Sequence, residues 1–187
     1  MLDRWTQDHV NLDLAGFAIP VPWFTAVDPV FSILGVPVVL ALWRWQAQSR
    51  AGVEPGDLEK IGLGAWLVAS ANVILVVAIL ALGNDGLSPI WPFLYFAMMG
   101  LSFLFYWPVT LALVSRAAPA PVNATMMGVA FLTLFAASNI MGRLGGLYEA
   151  LSPAMFWGLH AAVAAAGGIA VLMFGGAITR VLDRRLD

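Results

Sequence analysis

The sequence predicts an all-α, polytopic membrane protein, a bundle of five transmembrane helices, on three observations. Of its 187 residues, 61% are hydrophobic and only 11% are charged, which is more apolar than an ordinary soluble domain. The apolar residues gather in five stretches, each near the roughly 20 residues that a helix needs to cross a bilayer. Short connections rich in Gly, Pro, Asn and Asp separate these stretches. Helices are predicted because they satisfy their own backbone hydrogen bonds in lipid.

The first element is a polar lead-in, residues 1–22. Its charged and titratable residues are scattered among apolar ones, and they are Asp3, Arg4, Asp8, His9 and Asp13. The segment lacks the basic start and the continuous apolar core of a secretory signal. We therefore expect it to lie outside the membrane, ahead of a transmembrane domain that covers residues 23–187.

The helices of this domain are predicted, in order, at residues 23–45, 61–82, 90–113, 122–147 and 153–178. Pro29 and Pro37 in the first and Pro108 in the third each remove a backbone donor, which tends to kink a helix. Neighbouring helices accommodate such kinks in a membrane. Small residues between Ala161 and Gly168 in the last helix let another helix come close. These features indicate a packed bundle.

The positive charges predict an orientation. Seven of the nine Lys and Arg residues lie on one side of the predicted helices, and they are Arg44, Arg50, Lys60, Arg116, Arg180, Arg184 and Arg185. The positive-inside rule makes that side cytoplasmic. We expect a multi-pass protein of the cell (inner or plasma) membrane, with its N-terminus outside and its C-terminus in the cytoplasm.

Several function classes are excluded. The chain has no Cys and carries none of the zinc-protease, nucleophile-elbow or phosphate-loop motifs, so neither an enzyme nor a metal site is predicted. A net charge of −2 gives no reason to expect nucleic acid as a partner. His160 has no carboxylate nearby in sequence, so it is either a packing histidine or part of a proton relay.

Four segments carry a family resemblance. Residues 13–43 (DLAGFAIPVPWFTAVDPVFSILGVPVVLALW) resemble the segment that leads into the eighth helix of the proton-dependent oligopeptide transporters of the major facilitator superfamily. Residues 58–64 (LEKIGLG) resemble the entry to the ninth helix, and residues 108–119 (PVTLALVSRAAP) the end of the tenth. Residues 126–132 (MMGVAFL), followed by Asn139, are similar to the eleventh.

The resemblance implies a partial major facilitator fold. The whole family fold has two six-helix halves around a central substrate cavity, and this chain would cover helices eight to twelve. The N-terminal half, with its acidic and basic motif, would be missing. We therefore expect a C-terminal fragment or half of a proton-coupled di- or tripeptide transporter. The chain would not transport alone, the proton would be its coupling ion, and no cofactor is implied.

The resemblance also implies substrate-binding positions. Phe103 stands where the family usually has a Glu that meets the amino group of the peptide, and Asp28 stands where it has an Asn. One hypothesis is that Asp28 takes over the lost negative charge, since a carboxylate within a membrane helix usually faces a cavity or a partner. The alternative is that Asp28 caps the first helix at its outer end, in the turn that contains Pro29.

A second pair of departures concerns bulk. Ala130 occupies a position where the family commonly has a Trp, and Trp107 one where it usually has a small residue. Either an aromatic ring of the cavity wall has moved between helices, or the core has drifted at constant volume. Asn139 matches a family position and is expected to make an interhelical hydrogen bond.

Two functions remain open from the sequence. In the first, the chain works with a missing N-terminal half, and peptide binds only to the full assembly. In the second, it is a non-transporting interaction or regulatory protein derived from such a transporter. The lipid bilayer is a partner in both, and self-association is an alternative to the missing half.

Overall fold

Helices dominate the computed structural model, which describes residues 2–49 and 55–186, with side chains as far as residue 180. Its six α-helices are α1 (Leu2–His9), α2 (Pro22–Ser49), α3 (Asp57–Leu82), α4 (Ile90–Ala117), α5 (Asn123–Gly145) and α6 (Pro153–Leu186). Helices α2 to α6 lie in five segments that are each long and apolar enough to cross a membrane. The predicted fold class, an all-α bundle of five transmembrane helices, is confirmed. Arg50 of the predicted basic side lies outside the described residues.

The helices run past their apolar stretches at one end of the bundle. We call this the basic end, because Arg44, Lys60, Arg116 and Arg180 lie there, and the other the opposite end. Helix α2 reaches four residues beyond the predicted residue 45, and α3 starts four residues before the predicted residue 61. Hydropathy marks only the part of a helix that lies in hydrocarbon, whereas the backbone hydrogen bonds continue into the polar interface.

Helix α5 differs from its prediction in another way. It ends at Gly145, and the chain then forms a 3-10 turn at Gly146–Glu149 before α6. A second 3-10 turn, Ala120–Val122, precedes α5. The three predicted proline positions, Pro29 and Pro37 in α2 and Pro108 in α4, lie inside helices that continue through them.

The lead-in is helical and amphipathic. Leu2, Trp5 and Thr6 are buried on one face of α1, and the rings of Trp5 and Trp157 meet edge to face at 5.9 Å. These residues join a hydrophobic cluster at the opposite end of the bundle, formed by Leu2, Trp5, Val10, Leu75, Ala78, Ile79, Leu87, Phe156 and Trp157. Asp3, Arg4 and Asp8 therefore occupy the exposed face of a helix whose other face packs onto the bundle.

A small hairpin connects α1 to α2. Its strands, β1 (Asp13–Leu14) and β2 (Phe17–Ala18), pair antiparallel around Ala15 and Gly16, whose φ angles are 53° and 88°. A two-residue turn with both φ angles positive matches the twist of the flanking strands. The chain then enters α2 at Pro22.

Helix α4 lies at the centre of the bundle. It packs against α2 on one flank and α3 on another, while α6 packs against α3 and α5 lies chiefly against α4. Glycine allows two of these close contacts. A Cβ on Gly64 of α3 would lie 3.2 Å from the backbone of Ser102, and one on Gly100 of α4 would collide with the carbonyl of Asp28. Helices α2 and α4 therefore cross at Asp28.

Candidate functional site

Asp28 is a half-buried carboxylate inside α2. It lies six residues after Pro22, where the helix starts, so it is not an N-terminal cap and the cap hypothesis is wrong. Its Oδ1 is 3.5 Å from Ser32 Oγ, but that hydroxyl donates a shorter hydrogen bond of 2.9 Å to the Gly100 carbonyl. Among the ion pairs of the described side chains, none includes Asp28. The carboxylate therefore keeps most of its hydrogen-bonding capacity for another partner.

Aromatic side chains of α4 lie on either side of Gly100, the residue at which this helix meets Asp28. Phe103 is 40% exposed, and its ring lies 5.9 Å from the ring of Tyr106. Tyr95 lies five residues before Gly100, the α4 residue that meets Asp28, and Tyr106 lies six residues after it. The sequence prediction missed both tyrosines. For Tyr106 a signal existed, because it follows Phe103 by three residues and residues at that spacing share a helix face.

Trp107 and Ala130 connect α4 to α5. The Trp107 ring meets the Phe131 ring edge to face at 5.3 Å, and Ala130, the residue before Phe131, is 7% exposed. The large ring from α4 thus meets the residue that follows Ala130 in α5. Both readings of this exchange, a moved cavity wall and a volume-conserving swap, stay predictions.

Asn139 behaves differently from its prediction. Its Nδ2 donates to the carbonyl of Phe135 in the same helix at 2.9 Å, and the residue is exposed. In the described part of the chain it makes no interhelical hydrogen bond, contrary to the prediction. The reason is that residues 131–143 of α5 are exposed on every side and have no helix opposite Asn139.

His160 packs among aromatic rings. Its ring centroid lies 4.4 Å from that of Phe156 and 6.0 Å from that of Trp157, and its Nδ1 is 2.9 Å from the Phe156 carbonyl. This geometry favours the packing histidine over the proton relay. Among the described residues, no three His, Asp or Glu side chains come together in a way that could hold a metal ion.

The arrangement can bind a cation or a proton. A carboxylate within a membrane segment is costly unless it is protonated or paired with a positive charge. An aromatic face within reach of the same ammonium group adds attraction, since a ring presents negative charge at its face. Asp28 on α2, with Phe103 and Tyr106 on the helix that it crosses, is therefore a candidate site for a positively charged group.

Comparison with known proteins finds relatives that match most of the chain. Residues 4–157 match the model of the POT family, which covers most of the chain. A Bacillus subtilis protein named "Uncharacterized transporter YclF" is 28% identical over 175 residues, covering 92% of this chain and 35% of that protein. The "Peptide transporter YePEPT" of Yersinia enterocolitica is 27% identical over 149 residues, covering 78% of this chain and 29% of that protein.

Solved structures agree with these relatives. The crystal structure of peptide transporter POT in complex with sulfate superposes with a TM-score of 0.84 and 26% identity, over 96% of this chain and 36% of that one. The E310Q mutant in complex with alafosfalin gives 0.83 over the same shares. This chain therefore spans about a third of the length of the proteins that it matches.

Proposed function

Because this chain belongs to the POT family, a family of membrane transporters, we propose that it acts as the C-terminal part of a proton-coupled di- or tripeptide transporter. The observation that carries the proposal is the superposition of 96% of the chain on a peptide transporter at a TM-score of 0.84. Proteins named as peptide transporters are also among its sequence relatives. Peptide is therefore the proposed solute, and the proton the proposed coupling ion.

The proposed role of the chain is to supply one wall of a substrate cavity. Alternating access needs two halves that rock about a site between them. Helix α5 supports this role, because residues 131–143 are exposed on every side and offer a surface to further helices. The chain alone is expected to transport nothing.

Asp28 is the proposed anchor for the amino group of the peptide. Position 103, where the family usually has a Glu, carries Phe103 and so has no carboxylate. Asp28 lies on the neighbouring helix, and no ion pair of the described side chains includes it. Of the acidic side chains that the structure describes, Asp28 lies farthest from either end of its transmembrane helix. The same carboxylate is the proposed proton site, since proton and ammonium would compete for it.

A chimera tests the function. The C-terminal part of the Yersinia enterocolitica peptide transporter that aligns with this chain would be replaced by this chain. Uptake of a labelled dipeptide would then be measured in proteoliposomes with an inward proton gradient. We expect gradient-dependent uptake by the chimera and none by the isolated chain.

Two controls make the result decisive. The parent transporter and the chimera must reach the membrane in equal amounts, measured by in-gel fluorescence of a C-terminal tag. In a second chimera, Phe103→Glu restores the family carboxylate. Uptake by both chimeras supports the whole proposal, and uptake by the Phe103→Glu chimera alone rejects the role of Asp28. Uptake by neither, with normal folding, rejects peptide transport.

A non-transporting role is the second candidate. The observation that favours it is Phe103, an exposed apolar side chain at the position of a family carboxylate. In this case the chain would act as a folding or regulatory partner of another membrane protein, or associate with itself. Failure of both chimeras would make this the leading function.

A further inference from the structure

Ser32 lies in the seam where α2 packs on α4. Asp28, Ser32 and Gly35 follow one another at helical spacing and so share one face of α2. The two helices come close at both ends of this face. A Cβ on Gly100 would collide with the Asp28 carbonyl, and one on Gly35 would lie 2.7 Å from the side chain of Leu101. Ser32 is half-buried between these two contacts.

The Ser32 hydroxyl bonds across the seam. Its Oγ donates to the Gly100 carbonyl of α4 at 2.9 Å. Serine and threonine side chains in a helix often bond back to a carbonyl of the same helix. Several hydroxyls of this chain do so, and they belong to Ser49, Ser102, Thr110, Thr133 and Thr179. The Ser32 bond differs from these because it joins two helices.

A second acceptor lies within reach of the same hydroxyl. Asp28 Oδ1 is 3.5 Å from Ser32 Oγ, one helical turn away on α2. A hydroxyl has one proton to donate and two lone pairs that accept, so it donates to one of its two neighbours at a time. An ionised carboxylate is a stronger acceptor than a carbonyl, whereas a protonated carboxyl group becomes a donor itself. The charge on Asp28 therefore acts on the direction of the Ser32 proton.

We propose that Ser32 is a positioning residue for Asp28 and that its hydrogen bond changes partner with the state of that carboxylate. While Asp28 is charged and unoccupied, Ser32 donates to Oδ1. When Asp28 takes a proton, its O–H donates to Ser32 Oγ, and Ser32 donates to the Gly100 carbonyl. When an ammonium group pairs with Asp28, Ser32 again donates to Gly100. The proton on Asp28 is the one covalent change in these steps.

This exchange links occupancy of the site to the contact between α2 and α4. A filled site has one more hydrogen bond across the seam than an empty site. Asp28 is the one acidic side chain in the described helices α2 and α4, whose other titratable side chains are Arg44, Tyr95, Tyr106 and Arg116. The inference rests on the proposed role of Asp28 as the site of a proton or an ammonium group, and it adds the residue that sets the geometry of that site.

Infrared difference spectroscopy of the purified chain in detergent tests the exchange. The difference between acidic and neutral samples contains the C=O stretch of each carboxyl group that takes a proton, and the band that Asp28→Asn removes belongs to Asp28. A protonated carboxyl group has an O–H donor, and its C=O stretch lies at lower wavenumber when this donor is bonded to a hydroxyl. We expect Ser32→Ala to remove that bond and to shift the Asp28 band to higher wavenumber.

Three further variants isolate the hydroxyl. Ser32→Thr keeps it and should leave the Asp28 band in place. Ser32→Cys keeps the size of the side chain and should shift the band part of the way, because a thiol is a weak hydrogen-bonding group. This variant covers the case in which the added methyl group of threonine crowds the seam. Ser70→Ala, exposed on α3, is the matched control and should leave the band unchanged. Thermal unfolding verifies the folding of every variant.

The outcomes distinguish this inference from the proposed function. A band shift in Ser32→Ala that is absent from Ser70→Ala supports it, and this holds even where neither chimera takes up peptide. An Asp28 band that stays in place in folded Ser32→Ala overturns it, even where the chimera transports. Spectra of Asp28→Asn identical to those of the unmodified chain would show that Asp28 takes no proton, and would overturn it as well.

Discussion

The position of the Asp28 carboxylate is set by the residues around it. Gly100 lets α2 approach α4 closely, and Ser32 donates its hydrogen bond to the Gly100 carbonyl at 2.9 Å. The carboxylate is therefore fixed at the crossing of two helices while its oxygens remain available. Phe103 and Tyr106 place a pair of rings on α4, the helix that Asp28 meets. A charged group and a pair of rings on two helices recognise a cation better than either does alone.

Replacing Asp28 should strongly reduce uptake in the chimera. Asp28→Asn keeps the size of the side chain but removes the charge that pairs with the peptide amino group. Losing one partner of a buried charge pair costs about 2 kcal/mol or more, which corresponds to about a 30-fold lower kcat/KM. The measurement is gradient-driven dipeptide uptake. Asp13→Asn, in the exposed hairpin, is the control, and equal uptake by both variants would contradict the role of Asp28.

Gly100 should tolerate no side chain. Gly100→Ala places a Cβ against the carbonyl of Asp28, so the helices must separate. We expect a loss of about 1 to 3 kcal/mol in the free energy of unfolding, the usual cost of overpacking, measured by denaturant titration in micelles. Gly128→Ala in α5 meets no atom within 4 Å and is the matched control. A stability of Gly100→Ala equal to this control would refute the close crossing.

Among the elements, α1 has the clearest structural task. Arg4 donates to Glu149 at 2.9 Å beyond the end of α5, and His9 Nδ1 lies 2.9 Å from Asp85 in the connection between α3 and α4. The backbone adds two hydrogen bonds, from Leu87 to His9 and from Asn11 to Leu87. Helix α1 and the residues that follow it therefore tie together two connections at the opposite end, α3–α4 and α5–α6. The exposed ion pairs contribute little to stability, so the buried face must supply most of it.

Replacing Trp5 tests whether α1 stabilises the bundle. It is fully buried, and Trp5→Ala leaves a cavity against Trp157, so we expect the free energy of unfolding to fall by about 3 to 5 kcal/mol. Trp45→Ala is the control, because Trp45 is 62% exposed and its loss should cost about 1 kcal/mol or less. Both variants would be compared by thermal unfolding in the same detergent. Equal melting temperatures would show that α1 does not stabilise the bundle.

Helix α5 illustrates the opposite case. It is held chiefly by α4, and the ring contact of Trp107 with Phe131 is its best-defined anchor. Its exposed residues include Thr133, Asn139 and Arg143, which are polar for a surface that faces only lipid. Side chains of this kind usually face another helix or a cavity within a membrane. This face of α5 is therefore suited to a further helix or to a cavity.

For the whole molecule, orientation follows from charge. Arg44, Lys60, Arg116 and Arg180 lie at one end, and α1 and the hairpin lie at the other. We predict that the basic end faces the cytoplasm. Because the chain has no Cys, single cysteines introduced by mutation can report which end faces the cytoplasm.

Cysteine labelling checks this orientation. Asp3→Cys should react with a membrane-impermeant maleimide in intact cells, since Asp3 is exposed on α1. Gln48→Cys, exposed at the end of α2, should react only after the cells are permeabilised. The unmodified chain is the negative control. The reverse pattern would invert the topology.

The number of transmembrane helices could be predicted from the sequence, and so could the family, whereas helix α1 in the lead-in was not predicted. Apolar runs of about 20 residues are a local property, because lipid requires each segment to satisfy its own backbone. The candidate substrate-binding residues could be proposed from the resemblance, because they lie in or next to the matching segments. They are Asp28, Phe103, Trp107 and Ala130, and their roles stay predictions. The hydrogen-bond partner of Asn139 could not be predicted, since it depends on which helix lies opposite.

The amino-acid sequence by itself therefore determined five transmembrane helices and the POT lineage. Only the tertiary structure decided which residues meet. It placed Tyr106 beside Phe103 and buried Trp5 in the bundle. The physical reason is that hydrophobicity sets which segments enter lipid, whereas helix packing in lipid depends on close shape complementarity at small residues such as Gly100. Such contacts join positions far apart in the chain.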